Sequence, residues 1–221
     1  MGQSAQLTHG PDTVDALAGR MRHLAAGLPE RDGVAVFQRV YLAAAEAAGR
    51  WPATTLDAPF AGRYLAAVDA AAEGRRPPAC WRPLFQFRRH PGVRPAQFAL
   101  AGVHAHIGHD LALAVVDACR AARCEPAELE GEFDRLGDFL LSLEERVRED
   151  LVPGPELLHI TDPLTHLLGS WDLERAREAS WSAARTLWAL RRLPDVAEEF
   201  GRRLDAAVGF DCRMMLTPLP D

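Results

Sequence analysis

Apolar residues recur along this chain at steps of three and four, the period of a helix. Asp12–Leu28 carries Val14, Leu17, Met21 and Leu24 on one face, and Asp32–Gly49 carries Val36, Phe37, Val40, Tyr41 and Ala44. Trp51–Pro59 reads as a loop, and Phe60–Glu73 as an Ala-rich helix that Gly74 to Pro78 ends. Trp81–Arg89 predicts a short helix. Pro91, Gly92 and Pro95 then break the chain, with Pro95 suited to the first position of the next helix. After Glu125-Pro126, the residues Leu129, Phe133, Leu136, Leu140, Leu143 and Val147 form the clearest amphipathic stripe. Val152 to Pro155 is a linker, and Asp162-Pro163 opens a short helix through Leu168. Asp172 caps a helix with Leu173, Ala176, Trp181, Ala184, Leu187 and Trp188, and Asp195 with Glu198 has capping-box spacing for a last helix through about Val208. Residues 1–11 are expected to be flexible and 210–221 to be an extended C-terminal tail. No stretch alternates as a strand does, so the prediction is all-α: one domain over 1–221, with about eight helices around a buried central one.

That central helix holds the most informative residues. Between Arg94 and Arg120 there is no Arg, Lys or Glu, and beyond Gln97 the strongly polar side chains are His104, His106, His109, Asp110 and Asp117. At about 100° per residue, Leu100, Ile107, Leu111, Ala114 and Ala118 share one face. Ala99, Val103, His106, Asp110, Leu113 and Asp117 form a second stripe, also mostly apolar, so two faces call for burial. His106 and Asp110 are four apart, one turn stacked on the next, while His104 points elsewhere and His109 to a third face. Buried histidine and aspartate are costly unless paired or useful.

The run Val103-His104-Ala105-His106-Ile107-Gly108-His109-Asp110-Leu111 resembles the N-A-H-I-N-x-D-L signature of an uncharacterised helical family common in actinobacteria. Trp81 after Pro78 and the Phe37…Tyr41 helix match its weaker features. The resemblance implies a helical fold and places that family's His and Asp at His106 and Asp110. The chain departs from the pattern at His104 and Gly108, where the family has Asn.

Composition narrows the classes of function. Net charge is −6 and pI about 5.8, which argues against a nucleic-acid partner, since those binders present a basic patch. All 25 basic residues are Arg, so a Schiff-base lysine and a Walker lysine are excluded. Cys80, Cys119, Cys124 and Cys212 form no C-x-x-C pair, and 1–11 lacks a signal-peptide core, which together lead to the expectation of a reducing cytoplasm. The central run is long enough to span a membrane, but its three His and two Asp argue against that.

Three readings of His106 and Asp110 remain open: a satisfied structural pair, an acid–base site, or part of a metal site with partners such as His166, whose spacing from Asp162 mirrors theirs. No G-x-S-x-G or H-E-x-x-H is present. The leading expectation is an isomerase, cyclase or lyase acting on a small molecule in an internal cavity. In it, His106 and Asp110 are catalytic, Trp81, Phe37, Tyr41, His104 and His109 contact substrate, and no cofactor is used. The alternatives are a divalent-metal hydrolase or oxygenase using His106, Asp110 and His166, and a non-catalytic ligand-binding or interaction protein. The expected partner is a small molecule, with a homodimer compatible.

Overall fold

The periodic segments fold as helices, each burying its apolar stripe. The computed structural model describes residues 11–47, 54–151 and 171–219. In it α1 is Pro11–Ala26, α2 Gly33–Ala47, α3 Asp57–Ala72, α4 Arg82–Phe87, α5 Pro95–Ala122, α6 Glu130–Leu151, α7 Leu173–Ala189 and α8 Pro194–Met215. Short 3-10 turns at Pro126–Leu129 and Leu190–Arg192 lead into α6 and α8. No strand occurs among the described residues, and the fold is all-α. Val152 to Pro155, Asp162, Pro163, His166 and Trp51 lie outside the described residues.

The central helix is α5. Its N-terminal half packs against α2, α6 and α8, and its C-terminal half against α3 and α7. By length and composition it could cross a membrane, yet 83% of its most apolar window is buried inside the fold. Small residues let its neighbours come close. A Cβ on Gly102 would sit 2.4 Å from the Phe37 ring, so only glycine admits that ring against α5. Pro95 starts the helix, and the Gln97 side chain accepts the Arg94 N–H at 2.9 Å. At the other end Arg123 is left-handed (φ 56°), and the Cys124 N–H reaches back to the Cys119 carbonyl at 3.1 Å.

Three expectations are corrected. The last helix does not stop near Val208 with an extended tail from Phe210; α8 runs to Met215. Val208, Cys212 and Leu216 continue one buried stripe at steps of four, and the buried Gln97 amide donates to the Met215 and Thr217 carbonyls at 2.7 and 2.9 Å. Those bonds satisfy acceptors that a helix end leaves unpaired. Asp195 is no cap: Pro194, with its preset φ, opens α8 behind Leu193, and Asp195 falls in the first turn. Helix α3 starts at Asp57 rather than Phe60, because Asp57 accepts the Thr54 N–H at 3.1 Å and the Thr54 hydroxyl at 2.6 Å, organising the turn before it. Asp172 does cap α7, accepting the Arg175 N–H at 3.0 Å.

Candidate functional site

Midway along α5 the hydrogen-bonding pattern changes. His106–Leu111 forms a π-helical segment, a widened turn of the kind that recurs at functional sites. It brings His106, His109 and Asp110 together. Asp110 Oδ2 accepts from His106 Nδ1 at 3.0 Å and from the Trp81 indole N–H at 2.9 Å, and Asp110 Oδ1 accepts from His109 Nδ1 at 2.8 Å. A buried carboxylate with three N–H donors holds its charge. Burial pushes the Asp110 carboxyl up, but the hydrogen bonds from His106 and His109 outweigh it and hold the group below the usual carboxylate range. Burial also lowers His106, only partly offset by Asp110. The site at neutral pH is therefore a carboxylate beside a neutral His106 imidazole that carries its proton on Nδ1, with His109 Nδ1 directed at the other carboxylate oxygen.

Aromatic rings close around His106. Phe60 stacks on the imidazole, with centroids 3.6 Å apart and planes 11° apart. Tyr41, Trp81 and Phe37 meet it at a tilt, with centroids at 5.3, 6.0 and 6.1 Å. His106 Nε2 faces the Tyr41 hydroxyl at 3.4 Å. Burial raises that phenol well above its ordinary value, with Asp57 and Asp110 adding to the effect. The imidazole and all its ring neighbours are buried. Two polar groups in this wall lack a well-formed hydrogen bond among the described residues: the Tyr64 hydroxyl and the neighbouring Gln38 amide. Two surface pockets flank α4, one lined by Arg75, Arg76 and Arg82, the other by Ala79, Ala206, Gly209 and Arg213; neither is lined by His106 or Asp110.

Residues 14–218 match the family model of DUF5995, a family of unknown function. The chain belongs to that family. No curated protein and no solved structure matches it.

Of the residues singled out in the sequence of this DUF5995 member, the fold brings Phe37, Tyr41, Trp81, His106, His109 and Asp110 together. His109 does not face a third side, because the widened turn swings it onto Asp110. His104 lies apart from this cluster: its Nδ1 accepts the Trp171 indole N–H at 3.3 Å, and its Nε2 is 3.4 Å from Asp211. Two acids on helices that pack beside the cluster make ion pairs instead of joining it, Glu46 of α2 with Arg22 and Asp69 of α3 with Arg20.

Sequence reading missed Phe60, Tyr64, Cys80 and Asp205. One signal was available for the first two: Phe60 and Tyr64 stand four apart, as Phe37 and Tyr41 do, so two helices each present an aromatic pair on one face. No such signal existed for Asp205, which accepts the Ala79 and Cys80 N–H groups at 2.8 and 2.9 Å and lies 3.8 Å from His109 Nε2.

Proposed function

We propose that this protein is an enzyme acting on a small organic molecule by acid–base chemistry, of the isomerase, cyclase or lyase type. His106 moves the proton, and Asp110 orients the imidazole. The observation that carries this reading is the locked tautomer. Asp110 accepts the Nδ1–H hydrogen bond of His106, so the lone pair lies on Nε2 and is aimed into an aromatic wall. A neutral imidazole oriented by a carboxylate is a general base. It would accept a proton from a substrate carbon or hydroxyl, pass through an imidazolium stabilised by Asp110, and return the proton at a second atom.

The contact to Tyr41 at 3.4 Å is long for an O–H···N bond, so a substrate group can displace it. The Tyr64 hydroxyl and Gln38 amide are polar groups available to bind that substrate. Entry requires a ring to move. Trp81 sits at the start of the six-residue α4, the shortest α-helix in the described chain.

A second reading is favoured by the closure of the site. With His106 and its ring neighbours buried, the network also suits a non-catalytic protein in which Asp110 fixes the packing of α4 against α5. One experiment separates the two. The protein is incubated with a metabolite extract, and the mixture is followed by chromatography and mass spectrometry. The wild type should convert at least one compound to an isomer or cleaved product. His106→Gln, which keeps a donor for Asp110 but cannot carry the proton, should remain folded and lose about 100-fold or more of that rate. Equal turnover by folded His106→Gln, or no compound altered by the wild type, overturns the acid–base reading.

A further inference from the structure

We propose that Cys80, His109 and Asp205 bind a single divalent transition-metal ion, with zinc the best match to their ligand chemistry. The three come from separate parts of the chain: the turn before α4, the π segment of α5, and α8. Their Sγ, imidazole nitrogen and carboxylate oxygen lie within 4.8 Å of one another. Tetrahedral zinc with one sulfur, one nitrogen and one oxygen ligand places its donors about 3.3–3.8 Å apart. His109 Nε2 and Asp205 Oδ1 are at 3.8 Å, so closing the triad around an ion needs shifts of only about 1 Å among the three side chains.

Outer contacts orient two of the ligands. The His109 Nδ1–H donates a hydrogen bond to Asp110 at 2.8 Å, which leaves the Nε2 lone pair for the ion. A carboxylate behind a ligating imidazole is the usual outer partner in zinc sites. Asp205 is held by the N–H groups of Ala79 and Cys80, and each of its oxygens keeps a lone pair. This ties the carboxylate to the turn that presents the thiol. Sulfur and imidazole donors disfavour magnesium and calcium, which take oxygen ligands.

The Asp205 side chain is 21% exposed and that of His109 is 8%, so an ion enters from the α8 side. Three protein ligands leave a fourth position for water or a substrate atom. The His106–Asp110 pair is a poorer metal site, since the His106 nitrogen that faces the carboxylate carries the proton of their hydrogen bond and Asp110 Oδ2 already accepts two N–H groups. The inference does not depend on turnover at His106.

The test uses the full chain, stripped with a chelator and dialysed against Zn²⁺ or Co²⁺. The wild type should retain one zinc ion per chain by elemental analysis. Its cobalt form should show a thiolate-to-metal charge-transfer band and the intense ligand-field spectrum of a four-coordinate ion. Cys80→Ser should abolish the charge-transfer band, and Asp110→Asn should weaken zinc binding by about 10–100-fold. His109→Gln should lose the ion, and His106→Gln should keep it. The wild-type spectrum needs no variant to fold. The proposal is overturned by folded wild type that holds no stoichiometric ion, by a charge-transfer band that survives Cys80→Ser, or by metal lost with His106→Gln but kept with His109→Gln.

Discussion

Asp110 is the residue on which the interior turns. An isolated buried carboxylate costs several kcal/mol, and three N–H donors offset that cost while fixing two imidazole tautomers. The indole of Trp81 is the donor that reaches in from outside α5. Trp81→Phe should therefore destabilise the fold by about 1–3 kcal/mol through the unpaired carboxylate valence, with a further penalty for the smaller ring. Urea unfolding followed by circular dichroism would measure it, and Trp188→Phe, at a half-buried position, should cost less. At this scale the pairing of His106 with Asp110 was legible, because residues four apart on a helix meet whatever surrounds them. The roles of His109, Trp81 and Asp205 were not. The first depends on a local departure from α-helical winding, and the other two arrive from distant segments.

Two elements decide the shape of the site, the π segment of α5 and the close crossing of α8 over the turn before α4. At the crossing, a Cβ on Gly209 would lie 2.5 Å from the Ala79 carbonyl oxygen and 3.1 Å from the Cys80 nitrogen. Both are backbone atoms with little room to yield. Gly209→Ala should push α8 away, strain the bonds from Ala79 and Cys80 to Asp205, and cost about 1–3 kcal/mol. Gly201, in the same helix, has open space where its Cβ would go, and Gly201→Ala should stabilise by up to about 1 kcal/mol. Paired thermal melts of the two variants would show opposite shifts. A last helix beginning near Asp195 was legible, although the capping box that suggested it does not form. Its extension to Met215 was not, because the bonds that hold its last turn come from Gln97, far away in the chain.

The described residues share one hydrophobic cluster, from Ala18 to Leu216, in a chain whose 25 basic Lys/Arg positions are all Arg and whose net charge is −6. Where charge meets that core, stability should depend on pH. Burial raises the Asp57 carboxyl to about 6, against the opposing hydrogen bonds from Thr54. Between about pH 4, the ordinary carboxyl value, and pH 6 the native state binds more protons than the unfolded state, so this group's contribution to stability falls as pH rises. Asp57→Asn should consequently gain on the wild type across that window and hold a constant difference above it, as read from urea midpoints at several pH values.

Local periodicity alone set the helices, the apolar burial of α5 and the pair on its adjacent turns, since each follows from the geometry of a single helix. Packing decided the rest: that rings from α2, α3 and the α4 turn enclose His106, that a widened turn brings His109 onto Asp110, and that a thiol and a carboxylate far apart in sequence stand beside it. Those distances depend on how separate helices settle against one another, and no stretch of sequence encodes them by itself.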